Sequence, residues 1–369
     1  MSSTSHARDR ESLDVIRIGA GQAGLALGHH LARRGADFVL LEGASEIGRS
    51  WRSRWDSLRL FSPAEYDGLP GMPFPAARGT HPGKDDVADY LRNYAEHFRL
   101  PVRLHTPVTG LDHADGIFTV TTPTGSLDAR QVVIATGPFQ TPTVPEVSQR
   151  LPRDVIQLHS ADYRNPNQLP LGRVLVVGAA NSGLQIAAEL AATRSVTVAV
   201  GSRPAQLPQR VLGHDLFFWL TRSGFLTIPS HSRIARRLRA RGDLVIGSRT
   251  GTLRRRGIDF RPRLADFTGR TAAFTDGSTA EVDAVVWATG YRSDYSWLHV
   301  QGVVDGGQVR QEGGVTDVPG LYFLGLPWQT SRGSALLGFV GADAATLSAR
   351  MAADTRNTTP AEPAPATPR

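Results

Sequence analysis

Two glycine-rich turns, each set between an apolar strand and a helix, constrain this chain more than any other feature. The first is Gly19-Ala20-Gly21-Gln22-Ala23-Gly24, preceded by the apolar run Leu13 to Ile18 and followed by helical sequence from about Gln22 to Arg34, which Gly35 stops. A strand from Phe38 to Leu41 then ends at Glu42, completing a βαβ unit. In such a unit Gly19 permits the tight turn, Gly21 lets the backbone approach a pyrophosphate, and Gly24 lets helix and strand pack closely. The exposed amides at the helix start attract the phosphates, and Glu42 is placed to accept hydrogen bonds from a ribose hydroxyl.

The second turn, Gly178-Ala179-Ala180-Asn181-Ser182-Gly183, follows a strand at Val174 to Val177 and opens a helix from about Ser182 to Ala192. Its second strand, Val196 to Val200, runs into Gly201-Ser202-Arg203 with no carboxylate. A carboxylate there would repel a 2′-phosphate, whereas Ser202 and Arg203 can bind one, so NADPH is expected here rather than NADH. The alternative is that Arg203 is a solvated loop arginine. Ala180 stands where the second glycine belongs, and its methyl should push the pyrophosphate slightly away. One such turn suggests a dinucleotide; two suggest electron transfer between dinucleotides.

An internal echo gives the domain plan. Gly125 to Gly137 resembles Gly277 to Gly290, each a hairpin followed by an apolar strand ending in Ala-Thr-Gly, at Ala135-Thr136-Gly137 and Ala288-Thr289-Gly290. The expected class is α/β, with two Rossmann-like dinucleotide-binding domains, the NADPH domain inserted into the FAD domain. The FAD domain spans 13–145 and 286–352, the NADPH domain 146–285, and the tails 1–12 and 353–369 are expected to be disordered. A strand from Val318 to Leu324 runs into Gly325, and a helix expected from about Ser334 would aim its positive end at the flavin's pyrimidine side.

Composition narrows the chemistry. The chain has 369 residues and no cysteine, which excludes a redox-active dithiol, disulfides and zinc–thiolate sites. Lys84 is the only lysine, a bias we read as GC-rich coding in a bacterial source. The formal charge of +7 is concentrated between Arg203 and Arg263, where fourteen arginines face only Asp215, Asp243 and Asp259. Steering of a polyanionic cofactor accounts for this window, although Arg233, Arg236, Arg237, Arg239 and Arg241 also fit a solvated helix face. With no RNA-binding aromatic signature and no zinc spacing, neither nucleic acid nor metal is expected. No apolar run has membrane-spanning length and Met1 to Ser12 is polar, so a soluble, cytoplasmic protein without a membrane partner is expected.

Taken together, Gly19 to Gly24, Gly48 and Trp51 in Ile-Gly-Arg-Ser-Trp, the segment Trp55 to Leu60, Gly178 to Gly183 and the paired Ala-Thr-Gly motifs resemble the flavin-containing monooxygenases. More narrowly, they resemble the bacterial single-chain CzcO-like flavoproteins, over roughly residues 13 to 350. The resemblance implies FAD held by Gly19, Gly21, Gln22, Ala23, Gly24, Glu42, Gly48, Trp51, Arg52, Val108, Ala135, Thr136, Gly137 and Gly325. It implies NADPH held by Gly178, Ala180, Asn181, Ser182, Gly183, Ser202, Arg203, Ala288, Thr289 and Gly290. NADPH would reduce the flavin, oxygen would add to give a C4a-(hydro)peroxyflavin, and an oxygen atom would pass to a nitrogen, sulfur or carbonyl-bearing small molecule. A reductase or oxidase without oxygen insertion, or a flavin-binding sensor, is the alternative.

The chemistry would belong to the cofactor, so the protein's task is orientation and exclusion of water. Asp56 and Asn181 are the catalytic candidates. Asp56 would orient the ring or its water, or else form a salt bridge to Arg52 or Arg54. Trp51, Trp55 and Phe61 line the ring or serve as core aromatics. His159-Ser160-Ala161-Asp162-Tyr163-Arg164 matches the second half of the family's FxGxxxHxxx(Y/F)(K/R) fingerprint, but Arg153 and Val155 replace its Phe and Gly. His159 is therefore expected to have a structural or gating role, as a hydrogen-bonding anchor of the linker, rather than to transfer protons. The apolar cluster Leu216 to Leu220 is a pocket wall, a homodimer contact or plain core. Arg17 breaks an otherwise apolar strand and must find an acceptor or reach solvent.

Overall fold

Both faces of the strand that precedes the first turn are buried, the pattern of a parallel strand covered on two sides. In the computed structural model, which describes residues 10–202, 205–240, 242 and 244–358, this is β1 (Glu11–Ile18). It leads into α1 (Gln22–Ala32) and then β2 (Phe38–Leu41), which lies parallel to β1 with Val15 opposite Phe38 and Ile18 opposite Leu41. α2 (Arg49–Arg52) and α3 (Lys84–His97) follow, and β3 (Val102–Arg103) closes that edge of the sheet. β4 (Gly110–Ala114) and β5 (Ile117–Thr122) form a hairpin that runs into β6 (Gly125–Ile134). β6 pairs in parallel with β1 from Leu127 to Ile134 along one edge, while on its other edge its first half lies antiparallel to β5 and its second half is met in parallel by residues 321–323.

The chain then leaves for a second sheet. β7 (Ile156–His159) and β8 (Arg173–Val177) are followed by α4 (Asn181–Leu190) and β9 (Ser195–Ala199). Three helices come next, α5 (Leu216–Arg222), α6 (Arg233–Ala240) and α7 (Thr250–Arg255), before β10 (Asp259–Arg261). An antiparallel trio, β11 (Leu264–Thr268), β12 (Thr271–Phe274) and β13 (Thr279–Glu281), feeds β14 (Ala284–Trp287). The second sheet is wholly parallel in the order β10-β9-β8-β14-β7. β15 (Leu321–Phe323) then rejoins the first sheet beside β6, with Leu321 opposite Val132, and α8 (Val340–Thr358) packs against α1. Two Rossmann-type sheets therefore stand in series, the second built entirely between β6 and β15. The two crossings run side by side, residues 141–142 pairing antiparallel with 291–292.

Several boundaries differ from expectation, each for a visible reason. Glu11 and Ser12 belong to β1 rather than to a disordered tail, because they pair with Leu127 and Asp128 of β6. Residues 353–358 are helical rather than disordered: Asp354 accepts from the buried Tyr322 hydroxyl at 2.7 Å, and Thr355 Oγ1 accepts from Gln131 at 3.2 Å. The last helix begins at Val340, six residues after Ser334, because turns occupy the intervening segment. β14 pairs through Trp287, so the second sheet passes the boundary drawn at 285. Arg203, Arg241, residues 1–9 and residues 359–369 lie outside the described residues. Among the described residues no helix is long and apolar enough to cross a membrane.

Candidate functional site

The two glycine-rich turns are closed by the same device. The amide of Gly19 donates to the Leu41 carbonyl at 2.7 Å and that of Ala135 to Ile18 at 2.9 Å. At the second turn Gly178 donates to Ala199 at 3.0 Å and Ala288 to Val177 at 2.9 Å. Each Ala-Thr-Gly return thus sits directly under its turn. Both first glycines have positive φ, +100° and +119°, and a Cβ would stand 2.8 Å from the Ala135 oxygen at Gly19 and 2.3 Å from the Ala288 oxygen at Gly178. No other residue type fits either position.

Around the first turn the residues suit a dinucleotide. Among the described residues nothing lies within 4 Å of where a Cβ on Gly21 would stand, so the turn is open on the side that a pyrophosphate would approach. The first amides of α1 lack partners within their own helix and are available to an anion. Glu42 accepts from the amides of Ala20 at 2.7 Å and Ala44 at 3.0 Å, which fixes the carboxylate while its remaining lone pairs can accept from a ribose. The return strand comes close: a Cβ on Gly325 would stand 2.7 Å from the Ala23 methyl, and Gln22 Nε2 donates to the Ala335 carbonyl at 3.0 Å.

Other residues assigned to this site have structural partners. Gly48 has φ +82° and lies against α3, where a Cβ would meet the Ala88 backbone at 2.7 Å. Arg52 is spent on three carboxylates, Glu46 at 3.2 Å, Asp85 at 3.3 Å and Asp89 at 2.7 Å, and the bond to Asp89 helps hold its pKa above the usual value. Trp51 is half-buried against the core that contains α1, and Val108 against the core on the other face of the sheet. Thr136 Oγ1 accepts from Gln140 at 2.8 Å, and Gly137 has φ +71°.

The second turn repeats the backbone of the first. Ala180 has φ −85° and ψ −176° against −75° and −174° for Gly21, so its exposed methyl changes the surface and not the path of the chain. Gly183 packs where a Cβ would stand 2.1 Å from the Gly178 oxygen. Ser202 is exposed just beyond β9. A residue that the sequence reading missed stands here: Arg263 Nη2 donates to the Gly201 carbonyl at 2.9 Å. Its signal was topological, since β10 lies parallel to β9 and delivers the residues after Arg261 to the same sheet edge.

The two catalytic candidates are tied to different elements. Asp56 is exposed; its Oδ2 accepts from Asn165 at 2.8 Å and its Oδ1 lies 3.9 Å from Lys84. The cation beside Asp56 is Lys84, not Arg52 or Arg54. The amide of Asn181 donates to the Leu244 carbonyl at 2.9 Å and accepts from the Ile246 amide at 3.2 Å, pinning the segment after α6 onto the second turn.

His159 ends β7 and ties the linker. Its Nδ1 accepts from the Ala161 amide and its Nε2 donates to the Gly290 carbonyl, both at 3.1 Å, which fixes a neutral tautomer. Burial lowers its pKa, outweighing the opposing effect of the bond to Gly290. Beside it, Arg54 hydrogen-bonds the Tyr291 hydroxyl and lies 5.9 Å from the ring centre of the exposed Phe139.

The α5 cluster is core. Asp215 caps the helix, accepting from the Phe217 amide at 2.9 Å, and Phe217 is 1% exposed. Phe217 stacks on Phe61 at 6.0 Å and packs with Tyr66 and Phe339 from the first unit. A cleft opens next to this cluster, lined in part by Glu65, Tyr66, Leu69, Met72, Thr221 and Phe339. Asp67, adjacent in sequence to the lining residue Gly68, is 1% exposed, with Oδ1 bonded to Ser62 at 2.5 Å and Oδ2 without a partner among the described residues, and burial raises its pKa to about 7.

Comparison with known proteins fits this geometry. Residues 16–212 match the pyridine nucleotide-disulphide oxidoreductase family model. An uncharacterised CzcO-like oxidoreductase of Geobacillus kaustophilus is 44% identical over 90% of this chain and 96% of its own length. A flavin-containing monooxygenase from Stenotrophomonas maltophilia is 31% identical and superimposes with a TM-score of 0.78, covering 93% of this chain and 99% of that one. The chain belongs to the flavin monooxygenase family. An indole-3-pyruvate monooxygenase of Oryza sativa, YUCCA8, is a more distant member, 31% identical over 91% of this chain and 90% of its own. As a flavin monooxygenase, this chain keeps the two-turn layout of disulphide reductases but has no cysteine, so dithiol chemistry is absent.

Proposed function

We propose that the Gly19–Gly24 turn holds FAD, that the Gly178–Gly183 turn holds NADPH, and that the chain is an NADPH- and oxygen-dependent monooxygenase of a small organic substrate. The observation that carries this reading is the pair of equivalent turns, each closed on its own Ala-Thr-Gly return, in a protein without cysteine. The amides of Gln22 and Ala23 and the carboxylate of Glu42 would hold the pyrophosphate and ribose of FAD. Ser182 would lie against the pyrophosphate of NADPH, with Ser202 and Arg263 near its 2′-phosphate. Bound FAD, once reduced, supplies the oxygen-transfer chemistry. The protein's own part is to hold both nucleotides and to exclude water through the aromatic wall of Phe61, Phe217 and Phe339.

We assign the cleft beside Tyr66 and Phe339 as the substrate entrance for a compact molecule carrying an oxidisable nitrogen, sulfur or carbonyl carbon. The rice relative's named substrate, a 2-oxo acid with an aromatic ring, belongs in the first panel tested. FAD-loaded protein is reduced with NADPH and mixed with oxygenated buffer containing an amine, a thioether, a ketone or a 2-oxo acid. Oxygenated product in proportion to NADPH consumed supports the proposal. Full release of hydrogen peroxide with no product across the panel would make it an oxidase. Failure of NADPH to reduce the protein would remove both readings.

A further inference from the structure

The arginine that interrupts β1 is a charged side chain buried in a parallel strand, where an apolar residue is expected. Arg17 is 0% exposed; its Nη2 donates to the Gly19 carbonyl, while Nε and Nη1 are buried and have no partner among the described residues. A guanidinium left so incompletely bonded is strongly destabilising. The acidic group acting on it is Glu42, already engaged with two backbone amides, and burial still pulls the Arg17 pKa down to about 9.

The second turn shows that the fold does without such a charge. The position two residues before its first glycine is Val176, fully buried and apolar. There the third glycine, Gly183, is required because a Cβ would strike the turn's own backbone at the Gly178 oxygen. At Gly24 the neighbour is the guanidinium rather than backbone: a Cβ would stand 1.3 Å from Arg17 Nη2 and 1.8 Å from Cζ. The missing side chain is the space that the guanidinium fills, beside the first turn of α1. A cation at a helix N-terminus opposes the helix dipole in the empty protein and reinforces its attraction for an anion.

We propose that Arg17 is an internal counter-charge for the dianionic pyrophosphate of the dinucleotide bound at Gly19–Gly24, a positioning residue that raises affinity while destabilising the cofactor-free protein. This rests on the assignment of FAD to the first turn.

The test compares wild type, Arg17→Met and Arg17→Lys by FAD titration, NADPH titration and melting of the apoprotein. Arg17→Met should bind FAD roughly tenfold or more weakly, as expected for removing a charge from a poorly solvated site. Its apoprotein should melt no lower than wild type, and its NADPH affinity should be unchanged. Arg17→Lys should retain most of the FAD affinity, which a purely steric role would not give. Equal FAD affinity in wild type and Arg17→Met overturns the inference and leaves the cofactor assignment standing. A lower apoprotein melting temperature, or failure of Arg17→Met to fold, makes the arginine a brace and also overturns it. Wild-type apoprotein that does not bind FAD overturns both.

Discussion

Two single residues carry consequences that the motifs do not encode. Arg263 reaches the Gly201 carbonyl at the end of β9, where a 2′-phosphate would sit. Arg263→Ala is expected to raise the Michaelis constant for NADPH roughly tenfold, the usual scale for losing one charge-assisted contact, and to leave that for NADH unchanged. Equal effects on both cofactors would show that Arg263 does not read the phosphate. Asp67 concerns stability. Burial raises its carboxyl pKa from 3.8 to about 7, and the neighbouring Glu65 adds to the rise. The folded protein therefore binds this proton more tightly than the unfolded chain does, so its contribution to stability is full below pH 3.8 and is lost as pH rises towards 7. Asp67→Asn keeps an acceptor for Ser62 and removes the titration. The variant should match wild type near pH 4 and be more stable at pH 8 by up to about 4 kcal/mol, read from urea unfolding of the apoprotein. A constant difference across that range would place the titration elsewhere. Neither residue was legible in the sequence: Arg263 needed the β9–β10 pairing, and Asp67 needed its burial.

At the scale of elements, what could be read was what local chemistry dictates. β2 falls at Phe38–Leu41 and α1 starts at Gln22 as the glycine spacing and apolar pattern require. What could not be read was set by distant partners. The Pro-, Ala- and Thr-rich end of the chain suggests disorder from residue 353, yet α8 continues to Thr358 because its last turns meet β6 and β15. The start of α8 was misplaced for a related reason. Ser331 and Gly333 bond instead to the segment before α6: a bridge joins Pro229 to Ser331, and the Gly333 amide donates to Leu226 at 2.8 Å. The terminal turn of α8 therefore has a measurable role. Truncation after Ala352 strands the hydroxyl of Tyr322, itself 1% exposed. It should lower apoprotein stability by about 1–3 kcal/mol. An unchanged denaturation midpoint would show that Asp354 and Thr355 contribute nothing.

Across the whole molecule, the repeated turn and repeated Ala-Thr-Gly made the two-sheet plan legible, because both are local signatures that a Rossmann-type unit needs wherever it occurs. The contact between the units was not legible, since it is made by side chains distant in sequence. Gln209 donates to the Phe61 carbonyl at 3.0 Å, His81 lies 3.3 Å from Asp215, and Gln185 donates to the Arg59 carbonyl at 3.3 Å. Phe217 sits at the centre of this contact, against Phe61, Tyr66 and Phe339 of the first unit. Its truncation separates two functions of the wall that stability alone would confuse. Phe217→Ala should lose about 3 kcal/mol through the cavity it leaves. Neither glycine-rich turn is touched, so FAD affinity and the rate of reduction by NADPH should stay within about twofold of wild type. If the wall keeps water from the flavin, the cavity admits it, and hydrogen peroxide per NADPH consumed should rise at the expense of oxygenated product. A destabilised variant with unchanged coupling would mean that the α5 cluster only holds the units together and that water is excluded elsewhere, with the segment from Trp51 to Trp55 the next place to test.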